Sequence, residues 1–438
     1  MTRRRGPLQV VWHRADLRLH DNPAVGVALA AGPVVGIVIL DPNNLGRTTD
    51  RRRAWFIENV RALRERYASR GGLLHVRTGL PWEELPRFCA EVGAGRVHAV
   101  RNYTPYARHR DEKTREALSI PLLEHGGQYV HEPGTLRRDD GAGYRVYTPY
   151  AKRWWKAGLP NVDDAVRRFP AVTLGLPLEE LPDVTSDVPL PPVGEVAARK
   201  RLEAFCRKGL RDYSAARDLL DGSGSSGLSM YLNLGVLSPR LAAQRVLSVG
   251  GEGASKWVAE LAWRDFLADL LWQHPSMTTR PLDRRWERFT WSRDRAVFEA
   301  WREGRTGVPV IDAAMRELQA TGTMSNRARM VVAQGACKLL LLDWIWCERA
   351  FRDLLLDGDT AQNVGSWQWA AGLGVDAAPY FRVFNPVSQG EQHDPGGRWV
   401  SRWVPESRGS HAMLPGAIVE LAAARTRYLE RAKATLNG

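Results

Sequence analysis

A change of hydrophobic period partway along the chain limits its fold more than any other feature. From residue 8 to about residue 135, short β-branched runs alternate with helical spacings. The runs are Val10-Val11-Trp12, Val34 to Leu40, Leu73 to Val76 and Val97 to Val100. One helix is marked by Trp55, Phe56, Asn59, Val60, Leu63 and Tyr67 and is closed by Gly71-Gly72, a C-cap signal. Such alternation predicts a parallel sheet covered on both faces, with ligand crevices beyond the carboxyl ends of its strands. The first strand ends in His13-Arg14-Ala15-Asp16-Leu17-Arg18, a charged loop at such a place. From Gly158 to about Ala198 the period is lost and prolines gather, among them Pro160, Pro170, Pro182 and the pair Pro191-Pro192. That composition predicts a long connector laid over a surface. After Arg199 the pattern is helical almost to the end, as in Trp257 to Trp272 and Ala328 to Trp346. The expected fold is an α/β domain with a Rossmann-like parallel sheet over residues 1–135, a connector over 136–198 and an all-α domain over 199–438.

The length of 438 residues allows two or three domains and excludes a mini-protein held by metal or disulfides. With 44% apolar and 25% charged residues, the composition is that of an ordinary globular protein, neither disordered nor membrane-embedded. Lys and Arg exceed Asp and Glu by 62 to 49, a surplus of 13 that suits a polyanionic partner. Cys89, Cys206, Cys337 and Cys347 form no CxxC pair and no zinc spacing, so neither a disulfide framework nor a metal is expected. No apolar segment follows the basic start Met1 to Arg5, and none is long enough to span a bilayer, so a cytoplasmic protein is expected.

Gly222-Ser-Gly224-Ser-Ser-Gly227 has the form GxGxxG, but a dinucleotide fingerprint needs a strand before it and an acid ~20 residues later. Arg211 to Asp221 reads as helical and Val246-Leu247-Ser248 offers no acid, so a nicotinamide site is rejected. What remains is a Gly/Ser loop whose hydroxyl and N–H groups suit a diphosphate. Trp257, Glu260 and Arg264 share one helix face at i, i+3 and i+7, with Trp263 beside them. Asn326, Arg329 and Met330 line another, and Asp357-Gly-Asp359 precedes Asn363 and Trp367. Singly, these have plain structural readings as an ion pair on packed aromatics, a polar helix boundary, and a turn before a helix.

In order, they are specific. Trp257-Val-Ala-Glu260-Leu-Ala-Trp263-Arg264-Asp265-Phe266, Gly307-Val-Pro309-Val-Ile-Asp312-Ala-Ala-Met315-Arg316 and Met324-Ser-Asn326-Arg327-Ala-Arg329-Met330 resemble the photolyase/cryptochrome family. So do Asp357-Gly-Asp359 through Trp367-Gln-Trp369, Asp376-Ala-Ala-Pro379-Tyr380-Phe-Arg382, and the N-terminal Trp12-His-Arg14-Ala-Asp16-Leu17-Arg18-Leu-His20-Asp21-Asn22. The resemblance covers essentially the whole chain. It implies an antenna domain, a connector and a helical domain that holds FAD, active in the reduced anionic form. Tyr213, Ser225, Ser226, Gly227, Leu228 and Ser229 match positions that bind the FAD phosphates and ribityl chain. Trp257, Glu260, Arg264, Arg329, Asp357, Gly358 and Asp359 match positions around the diphosphate and isoalloxazine, and Asn363 matches the one facing flavin N5. The antenna pigment stays open between methenyltetrahydrofolate, an 8-hydroxy-5-deazaflavin, a second flavin and none.

The resemblance also implies a substrate. Glu260, Asn326, Met330, Trp263 and Trp369 fit the cyclobutane-dimer pocket of the class I type, with Arg217, Arg327 and Arg382 on the DNA. Two indoles offer an apolar wedge for a flipped dimer, while Glu260 and Asn326 can hydrogen-bond base edges. Base flipping is an attribute of photolyases generally, so it too comes with the resemblance. Thr323-Met324-Ser325-Asn326 lacks the histidine used in (6-4) photoproduct repair, and Thr323 and Ser325 stand where class I members commonly carry Trp and His. Trp367, Trp344 and Trp291 match a three-tryptophan electron relay. The implied activity is light-driven repair of cyclobutane dimers, a lyase reaction, on single- or double-stranded ultraviolet-damaged DNA by a monomer. A signalling cryptochrome is the alternative, and the dimer-pocket set with Asn363 favours repair.

Overall fold

The computed structural model describes residues 6–163 and 166–437, so the basic start Met1 to Arg5 lies outside the described residues. Chain contacts divide it into two units. One comprises Met1–Arg137, Ala151–Lys208 and Ser226–Asp265; the other comprises Arg138–Tyr150, Gly209–Ser225 and Phe266–Gly438.

The first unit is built on five strands, β1 (Leu8–His13), β2 (Val34–Leu40), β3 (Leu74–Thr78), β4 (Ala94–Val100) and β5 (Leu122–His125). Their order is β3-β2-β1-β4-β5, and every pair is parallel. All seven residues of β2 are buried, as expected of a strand with helices on both faces. A Cβ at Gly36 of β2 would meet Leu74 Cδ1 at 2.6 Å and the Tyr67 ring at 2.8 Å, so only glycine allows the Asp50–Ala68 helix to pack this closely. The short edge strand β5 carries no β-branched run and is only half-buried, so periodicity offers no strand signal there.

The charged loop after β1 is largely buried, and its charged side chains find partners within the protein. His13 meets Asp16 at 3.0 Å and the Tyr67 hydroxyl at 2.7 Å. The Asp16 carboxyl falls to about 2, since the neighbouring His13 and the bonds from the Arg14 N–H and Asn22 outweigh the desolvation that would raise it. Arg18 donates to the carbonyls of Gly127 at 2.7 Å and Gly235 at 2.8 Å. These charges lock the loop in place.

Residues 158–163 and 166–193 hold no helix or strand. Phe169 stacks on Tyr67 at 4.7 Å between ring centres, and Asp187 pairs with Arg51 at 2.6 Å, which lays the connector along the Asp50–Ala68 helix.

The second unit is helical. The expected helix from Ala328 to Trp346 is instead interrupted. Asn326–Gln334 runs into a wider turn at Gly335–Leu339; Leu341 then takes φ 57°, and a new helix, Trp344–Leu354, starts with the Asp343 carboxylate accepting the Ile345 N–H at 3.0 Å. Apolar spacing persists through this break, which is why periodicity alone reads it as continuous. Of the expected helical stretch Arg211 to Asp221, only Tyr213–Ala216 forms a helix. The four cysteines are buried and free. Among the described residues, no helix is long and apolar enough to cross a membrane.

Candidate active site

Within the first unit, Trp257, Glu260, Trp263 and Arg264 stand on the helix Glu252–Gln273. Trp257 is buried, its ring 6.0 Å from Phe205, while Glu260 and Trp263 are half-buried. Arg264 donates to the Gln128 carbonyl at 2.7 Å and the Leu232 carbonyl at 3.2 Å, and its guanidinium lies 4.4 Å from the centre of the Tyr129 ring. Next to it, Asp265 accepts the His131 N–H and the Trp154 indole N–H, both at 2.8 Å. Burial pushes the Asp265 carboxyl up to about 7 despite those donors. Arg264 and Asp265 together fasten segment 128–131 to this helix.

The Gly/Ser loop continues into the same unit at Ser226, whose carbonyl accepts Arg201 Nε at 2.7 Å. Gly227 has φ 63°, a left-handed conformation that favours glycine, and a Cβ there would lie 2.9 Å from Arg201 Nη2. Buried Leu228 then leads into the helix Ser229–Asn233.

In the second unit, the helix Asn326–Gln334 presents Asn326, Arg327, Arg329 and Met330. Ser325 is its N-cap, with Oγ accepting the Ala328 N–H at 3.3 Å, and Thr323 Oγ1 lies 3.0 Å from Thr321 Oγ1. Ser325 and Thr323 thus organise the helix start. Asn326 is exposed, with Nδ2 4.0 Å from Met330 Sδ.

Arg329 Nη2 contacts both oxygens of Asp357, at 3.0 and 2.9 Å, while its Nε donates to the Met324 carbonyl at 2.9 Å. Gly358 follows, buried, and Asp359 caps the helix Thr360–Ala371 by accepting the Gln362 N–H at 3.0 Å. Asn363 and Trp367 are buried on that helix and Trp369 is half-buried. Asn363 Nδ2 donates to the Glu348 carbonyl at 3.1 Å and to its carboxyl Oε1 at 2.9 Å, which sets the orientation of Oδ1. Burial raises the Glu348 pKa, opposed by Arg352 3.1 Å away. Sequence reasoning missed Glu348; its one signal is the i, i+4 spacing to Arg352 on the Trp344–Leu354 helix.

Trp367 meets Trp301 edge-on, with centres 6.0 Å apart, and Phe351 at 5.6 Å. Trp344 is buried, and partly exposed Trp291 packs on Phe289 at 4.3 Å. Buried Tyr213 lies under the Arg217 guanidinium at 5.7 Å, and the Ser225 N–H donates to the Gly222 carbonyl at 2.9 Å. Arg382 is exposed, its carbonyl held by Lys338 Nζ at 2.9 Å.

The residues fit a flavin dinucleotide. Asn363 offers a fixed acceptor oxygen, Arg329 and Asp357 form a mutually compensated ion pair, and Ser214 Oγ beside Tyr213 is buried with no hydrogen-bond partner among the described residues.

Residues 9–171 match the family described as DNA photolyase, and residues 257–434 match the FAD binding domain of DNA photolyase. A curated relative named deoxyribodipyrimidine photo-lyase, from Thermus thermophilus, is 55% identical and covers 99% of this chain and 100% of its own length. A class III photolyase from Agrobacterium tumefaciens aligns with TM-score 0.88 at 31% identity over 100% of this chain and 99% of its own. A Synechocystis cryptochrome has the same TM-score of 0.88 at 28% identity, covering 98% of this chain and 100% of its own. With two domain models matched in series and a full-length relative sharing more than half of its residues, the chain belongs to the DNA photolyase family.

Proposed function

We infer that the chain repairs cyclobutane pyrimidine dimers in ultraviolet-damaged DNA under light, a lyase activity that uses FAD. The observation that carries this reading is the 55% identity, over 99% of the chain, to a deoxyribodipyrimidine photo-lyase. The cryptochrome likeness is a likeness of fold at 28% identity, so repair is favoured over signalling.

Tyr213, Ser225, Ser226, Gly227, Leu228 and Ser229 would hold the FAD phosphates and ribityl chain. Trp257, Arg264, Arg329, Asp357, Gly358 and Asp359 would hold the rest, with Asn363 Oδ1 accepting a hydrogen bond at N5 without adding charge. The chemistry FAD supplies when bound is a light-driven electron, lent to the dimer and returned once the ring has opened. Trp263 and Trp369 stack the flipped dimer, Glu260 and Asn326 hydrogen-bond its base edges, and Met330 packs against it. Arg217, Arg327 and Arg382 contact the DNA backbone. Trp367, Trp344 and Trp291 relay electrons from solvent during photoreduction.

By the same reading, residues 1–135 form the antenna domain, 136–198 the connector and 199–438 the FAD-binding domain of a cytoplasmic monomer. The antenna site stays open between methenyltetrahydrofolate, a deazaflavin, a second flavin and no pigment, and the absorption spectrum of the purified holoprotein distinguishes these beside FAD. Binding to ultraviolet-irradiated and unirradiated DNA, compared over a range of salt, tests the partner. Preference for irradiated DNA, weakened by salt, is expected; equal affinity for both would contradict the reading.

A further inference from the structure

Asp218 lies between two arginines that the preceding reading places on DNA. Its Oδ2 is 2.9 Å from Arg327 Nη2, and its Oδ1 is 3.9 Å from Arg217 Nε. Arg327 donates through Nη1 to Gln389 Oε1 at 3.3 Å, while its buried Nε has no hydrogen-bond partner among the described residues. The side chains of Arg327, Arg217 and Asp218 are 16%, 18% and 37% exposed, so all three stay within reach of a polyanion.

One carboxylate shared by two guanidiniums cancels one of their two charges. A phosphate offers the same kind of anionic oxygen and suits the same guanidinium edges. It can take the Arg327 Nη2–H that Asp218 Oδ2 holds only by displacing that oxygen, and the carboxylate repels it as it approaches even the free N–H edges.

We propose that Asp218 is a positioning residue acting through Arg327 and Arg217, a built-in counterion that weakens their hold on the DNA backbone until phosphates replace it. The inference rests on the reading of those arginines as DNA contacts. Since phosphate contacts carry no information about the bases, the effect is the same on damaged and undamaged DNA.

The test uses the full-length, FAD-loaded protein and two duplexes, one with a single thymine cyclobutane dimer and one without, titrated over a range of salt. Asp218→Asn is expected to tighten binding to both duplexes by about 2- to 5-fold at low salt, the range of a partly exposed ion pair. It should also steepen the slope of log K against log salt by about 0.9, one extra phosphate neutralised. Asp218→Glu keeps the charge and should restore the original slope, which a merely structural role would not require. Arg327→Gln and Arg217→Gln should each flatten the slope. If neither arginine variant changes it, the reading of the arginines fails and the proposal with it. If they flatten it while Asp218→Asn leaves the slope unchanged or weakens binding, the proposal alone is overturned.

Discussion

Asn363 is held by Glu348 at two points, through the backbone carbonyl at 3.1 Å and the buried carboxyl at 2.9 Å, so its amide cannot rotate without losing both bonds. Both bonds come from Nδ2, so the contact fixes the direction in which the acceptor oxygen Oδ1 is presented. Glu348→Ala should strand a buried amide donor at a cost of about 1–3 kcal/mol and weaken FAD retention. Denaturant titration and the flavin retained on gel filtration measure the two effects, and Glu348→Gln should retain more flavin than Glu348→Ala.

Arg329 and Asp357 predict a second loss. Asp357→Asn leaves the Arg329 guanidinium without its anion and should cost about 1.5–3 kcal/mol, the range for a hydrogen bond to a charged group. The unfolding midpoint of the FAD-free chain should fall, and flavin loading should fall with it.

Ser325 has taken on the cap of the helix that presents Asn326, Arg329 and Met330. Ser325→Ala should lower stability by about 1 kcal/mol. Binding to dimer-containing DNA should weaken as well, as measured by titration against the unaltered chain.

Glu317 gives a pH dependence. Burial pushes its carboxyl from 4.5 to about 7, and the hydrogen bond from Trp399 Nε1 at 3.1 Å only partly opposes this. The folded chain therefore binds this proton more tightly than the unfolded chain. The stability it contributes is fully present below about pH 4.5 and is lost as pH rises through about 7. In denaturant titrations across that window, Glu317→Gln should remove this part of the decline.

Trp291→Phe should slow photoreduction of oxidised FAD while sparing repair by flavin reduced beforehand. Time-resolved absorption and a repair assay after chemical reduction separate the two, and equal loss of both would contradict the relay.

Most of the sheet was legible because buried parallel strands such as Val34 to Leu40 are apolar runs with few alternatives. β5 was not, because a half-exposed edge strand needs neither β-branching nor alternation. The break at Leu341 was hidden because apolar spacing continues through it while the backbone departs from the helix. Of the candidate site, Arg329, Asp357 and Asn363 could be named from ordered motifs. Their supports could not: Glu348 lies 15 positions before Asn363, and Asp218 lies 109 positions before Arg327, so only the folded chain joins them. In the loop His13 to Arg18, charge at a strand end forms a buried lock, a use that the sequence alone does not separate from a ligand site.

Counting cyclobutane dimers in single- and double-stranded DNA after incubation with the purified protein and reduced FAD measures the repair activity itself. Dimers should disappear under near-ultraviolet or blue light and persist in the dark. Dimers that remain intact in the light, with FAD bound and reduced, would contradict the repair reading.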